Sequence, residues 1–343
     1  MPAAGPNGPD YNVIQIHPTL RCNLRCLHCY SMSGPHRRDE LAPGVVSQVL
    51  GNAAREGYNV LGVSGGEPLL YEPLPVVLAR AKSLGMATTV TTNGTVFTRE
   101  RLAAVFPVVD LLAISLDGIG AAHNAMRGAP RAFESLVRGL PMVRNSGVPF
   151  GFIVTLTLTN AGDLDEIARF AVDNGAALLQ IHPLEEVGYA RDNLAGRAPD
   201  ERELAFAFLE AARIQRAYAG QLTVQFDAVD RDIARELPDR LYAGADGADP
   251  ADLAEAPLAA LIAPVVLEAD GVVVPLQYGF DRRFAIGNLD PEGAALRYWK
   301  TSVYPRFRAL CRATYDAVVS GGSPVTPFAN WYGAVSQSSR DVG

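Results

Sequence analysis

The chain has 343 residues and a formal net charge of −7, with an isoelectric point near 5.3. This acidic balance argues against a nucleic-acid binder, whose surface is usually basic. Hydrophobic residues make up 48% and mean hydropathy is +0.08, ample for a buried core. Four cysteines are too few for a disulfide framework, the N-terminus has no secretory signal, and no apolar run reaches membrane-spanning length. A cytoplasmic protein with no nucleic-acid or membrane partner is expected.

Residues 1–10, rich in Pro, Gly and Asn, read as a loose tail. Beyond them, short runs rich in Val, Ile and Thr alternate with helical patterns. Strands are predicted at 12–17, 59–65, 87–92, 110–116, 149–158 and 177–184, and helices at 43–57, 74–85, 98–106, 132–146 and 163–174. Six βα units before residue 185 indicate a parallel sheet, too short for an eight-stranded barrel and suited to an open partial one. The predicted fold is α/β, a partial (β/α)6 TIM-like barrel over 11–220 with a small C-terminal α+β extension over 221–315. A helix follows Asp200 as N-cap and ends before Gly220. "QLTVQF" at 221–226 reads as a strand of the extension, and a linker rich in Ala, Asp, Gly and Pro follows over 242–257. After it, 264–279 reads as a hairpin turning at Asp270-Gly271, and 291–312 as a helix. Residues 316–343 read as an irregular tail.

Three of the four cysteines, Cys22, Cys26 and Cys29, crowd one loop after the first strand. Thiolates at this spacing can point at one centre. A structural zinc would want a fourth N or S ligand, for which His17 and His36 are candidates; His28 is too close to its neighbours to share chelation easily. An iron–sulfur cluster held by three thiolates would keep one iron open, as a catalytic centre needs. Three buried, inert thiols are the plainest alternative.

The run Cys-x3-Cys-x2-Cys resembles the signature of the radical S-adenosylmethionine (radical SAM) enzymes, with His28 in its aromatic slot and Tyr30 following. The resemblance spans about residues 11–185. "SGGEP" at 64–68 is similar to the second-strand motif and "TTNG" at 91–94 to the third. "SLDG" at 115–118, with His123 and Arg127-Gly128, resembles the fourth-strand motif of a branch containing peptide-modifying maturases. Each falls at the C-terminal end of a strand, where the active sites of βα barrels lie.

The resemblance implies one 4Fe-4S cluster on Cys22, Cys26 and Cys29, with S-adenosyl-L-methionine (SAM) on its open iron. Gly65 and Gly66 would let backbone approach the cofactor, with Glu67 helping at its ammonium. Asn93, Ser115 and Asp117 become cofactor-side polar groups, although Asn93-Gly94 and Asp117-Gly118 also read as turn pairs. Arg127 would pair with the cofactor carboxylate, and His182 would face the same mouth. The implied chemistry is reductive cleavage of SAM to a 5′-deoxyadenosyl radical that abstracts hydrogen from substrate. The electron would come from a low-potential donor such as a flavodoxin or ferredoxin, which Arg21, Arg25 and the "HRR" run at 36–38 would help dock.

The extension resembles the SPASM/twitch domains of that branch. The cysteine expected after Pro275 is Leu276, and Cys311 alone cannot build a further cluster, so the extension is expected to serve packing and substrate binding. A ribosomally made peptide is the first substrate expectation, although the chain leaves no evident N-terminal length for a leader-binding domain. A small metabolite (sugar, nucleoside or amino acid) is the second, and a non-catalytic zinc or iron–sulfur sensor the alternative of another class. Cys311 reads as a buried thiol or as a hydrogen-atom donor.

Overall fold

A computed structural model describes residues 11–238, 241, 250–320 and 328–341. The expected tail at 1–10 and much of the expected linker lie outside them; from Pro250 to Glu255 the linker segment is helical.

Strands β1 (Val13–Ile16), β2 (Val60–Val63), β3 (Ala87–Thr92), β4 (Leu111–Ser115), β5 (Phe150–Leu156), β6 (Leu178–Pro183) and β7 (Thr223–Phe226) pair in sequence order, all parallel. Ile14 and Ile16, Leu112 and Ile114, and Leu179 and Ile181 are fully buried, as expected for parallel strands covered by helices. The helices pack apolar faces set by three- and four-residue spacing. In Pro43–Arg55 the buried stripe is Val46, Val49, Leu50 and Ala53, and Pro43 occupies the first turn, where its missing N–H costs nothing.

The helix Glu201–Ala217 starts as its sequence predicts. Asp200 Oδ1 accepts from the backbone N of Arg202 (2.8 Å) and Glu203 (2.9 Å), and Glu203 Oε2 accepts from Asp200 N (2.7 Å), a complete capping box.

The expected boundary at residue 220 falls inside the sheet. β7 pairs with β6 and is a barrel strand. A two-residue strand, β8 (Val229–Asp230), follows. The hairpin β9 (Val265–Leu267) and β10 (Val273–Pro275) forms as predicted, and β9 then pairs in parallel with β1. Among the described residues the result is a nine-stranded sheet, β10-β9-β1-β2-β3-β4-β5-β6-β7, with a large core cluster running through barrel and extension. A buried ion pair joins the two parts: Lys300 Nζ lies 2.8 Å from Glu56 Oε2, which also accepts from Leu258 N at 2.6 Å.

The helix expected at 291–312 is present as Ala294–Tyr298 and Tyr304–Tyr315, joined through a wider π turn. The tail departs from expectation. β11 (Phe328–Ala329) pairs with β8, and Trp331–Asp341 is a helix. Its buried face is Trp331, Val335, Ser336 and Ser339. Half of that face is serine, so the sequence lacked an apolar period to read.

Candidate active site at the barrel mouth

The cysteine loop leaves β1 and folds back on itself. Gly34 N donates to Leu20 O (3.1 Å) and Cys22 N to Gly34 O (3.2 Å), while Thr19 Oγ1 donates to Asp39 O (3.1 Å). Its far side is tied to the helix Ala121–Arg127 by Leu27 N donating to Met126 O (2.9 Å).

The Gly-Gly-Glu segment runs against this loop, with Gly66 N donating to Thr19 O (2.8 Å) and Glu67 N to Arg21 O (3.0 Å). A Cβ on Gly65, whose φ is +105°, would stand 2.7 Å from Thr19 O, and one on Gly66 would stand 2.3 Å from Arg21 O. These glycines therefore hold the second strand's end against the cysteine loop.

The Glu67 carboxylate is fully buried, with Oε1 accepting from Thr92 Oγ1 (2.7 Å) and Leu69 N (3.1 Å) and Oε2 from Asn93 N (2.8 Å). These bonds tie it to the ends of β2 and β3. Burial raises its pKa against the pull of those hydrogen bonds.

Every sulfur of the loop has a donor. Cys22 Sγ accepts from Leu24 N (3.4 Å) and Asn93 Nδ2 (3.7 Å), Cys26 Sγ from Arg127 Nη1 (3.7 Å), and Cys29 Sγ from Ser33 N (3.4 Å). Asn93 is oriented by Asn23 Oδ1, which accepts from its amide at 3.0 Å, and by Thr95 N, which donates to its Oδ1 at 2.9 Å. Burial pushes the Cys22 thiol up to about 12 and raises Cys26 too, so a metal must displace the proton for these sulfurs to bind as thiolates. Among the described residues, no three His, Cys, Asp or Glu side chains close around a single ion. His36 is exposed, and His17 stacks on Tyr278 at 4.7 Å with its Nε2 3.4 Å from Tyr30 OH, so neither expected fourth zinc ligand joins the sulfurs. Three half-buried to buried thiols with donors at each sulfur fit a cubane held by three corners.

Arg127 is placed otherwise than expected. Its Nε lies 2.7 Å from Asp117 Oδ2 in an ion pair lacking hydrogen-bond alignment, and its Nη1 reaches Cys26, so the guanidinium is held between a carboxylate and a sulfur. Asp117 has no exposed side-chain surface. Burial would raise its pKa, but the Arg127 charge, then those of His28 and His123, hold it below the ordinary carboxylate value. Its Oδ1 accepts from Thr155 N (3.0 Å), and its backbone is pinned by His123 Nδ1 and Asn160 Nδ2. His28 stands 3.9 Å from Asp117 Oδ2 and is kept neutral by burial, its pKa lowered to about 4. Ser115 closes β4, half-buried, beside this group. The basic patch proposed for an electron donor is partly neutralised: Arg37 pairs with Asp39 (2.7 Å) and Arg21 with Glu40 (3.7 Å).

His182 lies near the C-terminal end of β6. Its partners were not anticipated. Its Nδ1 is 3.1 Å from Asp227 Oδ2, and Gln225 Nε2 donates to Asp227 Oδ1 at 2.8 Å. Asp227 follows β7 directly. Treating "QLTVQF" as a barrel strand would have found it by the rule that functional groups follow strand ends. The extension brings Gln277 to the mouth, donating to Glu185 Oε2 at 3.0 Å, and Asn330 donates to Glu185 Oε1 at 3.3 Å. Glu185 follows β6 and Gln277 follows β10, so this contact bridges the open side of the sheet. Cys311 is 1% exposed in the core, the buried thiol its sequence context suggested.

A parallel partial barrel with three sulfur ligands on its first loop and polar groups on its next strand ends defines a radical SAM domain. Residues 16–171 match the Radical SAM superfamily, whose enzymes use a 4Fe-4S cluster and SAM. Relatives include the pre-heme d1 synthase of Dinoroseobacter shibae, 31% identical over 59% of this chain and 51% of that one. The Fe-coproporphyrin III synthase of Methanosarcina barkeri is 32% identical over 45% of this chain and 39% of that one. The chain thus spans about half or less of the length of these curated relatives. Streptococcus suis SuiB bound to S-adenosylmethionine shares the fold with a TM-score of 0.66 at 16% identity, over 87% of this chain and 68% of that one. The anSMEcpe structure with bound AdoMet does so at 0.63 and 15% identity, over 96% of each. No helix among the described residues is long and apolar enough to cross a membrane.

Proposed function

We propose that the chain is a radical SAM enzyme acting on a small molecule. Cys22, Cys26 and Cys29 hold the cluster. Gly65, Gly66, Asn93, Ser115 and Asp117 line the strand ends beside it, and Glu67 and Arg127 position that lining from behind. When bound, cluster and SAM supply a 5′-deoxyadenosyl radical, made at the expense of one external electron, that takes hydrogen from an unactivated carbon. The chain's own residues set the conditions. Asn93 and Arg127 donate to the sulfurs and tune the cluster's potential, Asp117 balances the arginine, and Tyr30, Tyr278 and the Glu185–Gln277 bridge screen the mouth from water. A flavodoxin or ferredoxin is the donor class that such a cluster calls for.

The observation that carries this reading is the set of three sulfurs, each with its own donor, on one glycine-clamped loop. A small-molecule substrate is preferred to a peptide because the matched relatives bear names of heme-type synthases and because the mouth is bridged across its open side. Anaerobic reconstitution should give a brown protein with about four irons per chain that releases 5′-deoxyadenosine on reduction with dithionite in the presence of SAM. A colourless zinc protein that leaves SAM intact would overturn it.

A further inference from the structure

β6 alternates Leu179, Ile181 and Pro183, which are buried, with Leu178, Gln180 and His182 on the opposite face. Its neighbour β7 places Gln225 beside Gln180, and Asp227 follows with its N donating to Ile181 O at 2.9 Å. Three side chains converge on one carboxylate. Gln180 Nε2 donates to Asp227 Oδ2 at 2.5 Å, Gln225 Nε2 to Oδ1 at 2.8 Å, and His182 Nδ1 lies 3.1 Å from Oδ2. The carboxylate is ionised, since burial, which would raise its pKa, is outweighed by His182 and the two amides. It can therefore only accept, and Nδ1 must carry the shared proton. The carboxylate also raises the pKa of His182 against the effect of burial, so a metal at Nε2 would bind in competition with a proton there, on a ring whose side chain is 44% exposed.

A carboxylate held by two amides is an elaborate support for a half-exposed histidine. As a surface ion pair it would contribute almost nothing to stability. It is the arrangement that orients a histidine for metal, in which one ring nitrogen donates to a carboxylate, fixing the tautomer and raising the basicity of the other. The three cysteines already account for the resident cluster, and His182 comes from a different strand end. The surroundings are aromatic. Tyr30 and Tyr332 are 39% and 43% exposed, Tyr332 is near enough to Asp227 for its ionisation to feel that charge, and Tyr278 packs edge-on to Tyr30 at 5.8 Å. Tyr332 lies near Asp227, and Tyr30 feels the charge of Glu185, which also acts on His182; aromatic rings around that carboxylate pair and one ring nitrogen suit a flat, conjugated ligand with a metal at its centre.

We propose that His182, supported by Asp227, is the axial ligand of an iron tetrapyrrole bound at the barrel mouth as substrate. This rests on the small-molecule reading above and names its chemical class; the relatives' names point the same way. Coordination forms one Nε2–iron bond and displaces a water from the metal, with no electron transferred. Asp227 is a positioning residue and touches no ligand.

The test is titration of the cluster-loaded protein, without oxygen, with ferric coproporphyrin III, followed as a difference spectrum in the Soret region. Saturation at one equivalent with a histidine-type shift is expected. His182→Ala should weaken binding at least tenfold and lose the shift, and added imidazole should restore it. Asp227→Asn should weaken binding about tenfold or more. Metal-free coproporphyrin III should not distinguish His182→Ala from the parent. Failure of the iron porphyrin to bind, or an unchanged spectrum in a folded His182→Ala protein, overturns the proposal, including the case in which that variant loses only turnover and His182 is a proton acceptor. Release of 5′-deoxyadenosine without porphyrin is assayed in parallel, so that failure of ligation and failure of the radical reading are told apart.

Discussion

Arg127 Nε stands 2.7 Å from Asp117 Oδ2 while Nη1 of the same guanidinium reaches Cys26 Sγ, so one buried cation serves a carboxylate and a cluster ligand together. Removing it leaves Asp117 charged with no exposed side-chain surface, where breaking a buried pair costs about 3–5 kcal/mol. Arg127→Gln should lower stability by that order, and Arg127→Gln with Asp117→Asn should recover much of it. Loss of the positive charge beside Cys26 should also lower the cluster's reduction potential. Denaturant midpoints and a redox titration followed by electron paramagnetic resonance check both parts.

Gly66→Ala places a methyl group 2.3 Å from Arg21 O, which forces the cysteine loop away from the second strand's end. The strain is on the order of 1–3 kcal/mol. Reconstituted iron per chain should fall sharply, whereas Gly44→Ala, where a Cβ meets nothing within 4 Å, should load normally.

Glu67→Gln tests whether Glu67 touches cofactor or supports the strands. Its oxygens accept three hydrogen bonds, and the amide turns one acceptor into a donor facing a donor. A stability loss of about 1–3 kcal/mol is expected, with SAM affinity of the loaded protein changed less than twofold. A large loss of affinity at unchanged stability, read by calorimetry, would return Glu67 to the cofactor.

Cys311→Ala should leave 5′-deoxyadenosine formation and product yield unchanged. Its sulfur is buried in the core, where burial pushes its pKa up to about 12. The truncation leaves a small cavity and should cost about 1–2 kcal/mol in thermal or urea unfolding. Loss of product with normal SAM cleavage would revive the hydrogen-donor role.

Three histidines held neutral by burial, His17, His28 and His123, should make the fold sensitive to mild acid. Burial lowers His17 to about 3, and burial with the nearby Arg127 charge lowers His123 to about 4. The unfolded chain takes up these protons below about 6.5, well before the folded one does. Their contribution is intact above that value and is lost as pH falls toward the folded values. The slope is roughly 1.4 kcal/mol per pH unit for each histidine. Urea midpoints across that range should fall with pH, and His17→Asn should flatten the dependence.

Much of the barrel was legible because strands buried on both faces are written as runs of Val, Ile and Thr, and each helix carries its own apolar stripe. The Asp200 capping box was equally plain. What the sequence concealed depended on distant neighbours. Nothing local says that the carboxylate of Glu67 turns inward to Thr92, that Arg127 lies under Cys26, or that Asp227 meets His182 from an adjacent strand. The last helix was hidden by its serines, and the place of β7 in the barrel, though not its strand character, by its separation from β6 through a long helix. The cysteine loop could be read because its ligands are close in sequence; its support could not, because it comes from segments that follow other strands, among them β2, β3 and β4.

β9 lies in parallel against β1, the strand that launches the cysteine loop. A barrel cut off near residue 220 would therefore expose β1 as a raw, hydrogen-bonding border, the kind of surface that recruits other chains and drives aggregation. The C-terminal hairpin is a selvedge for the catalytic sheet, and an excised catalytic half should come out of the cell as inclusion bodies whatever metal is supplied.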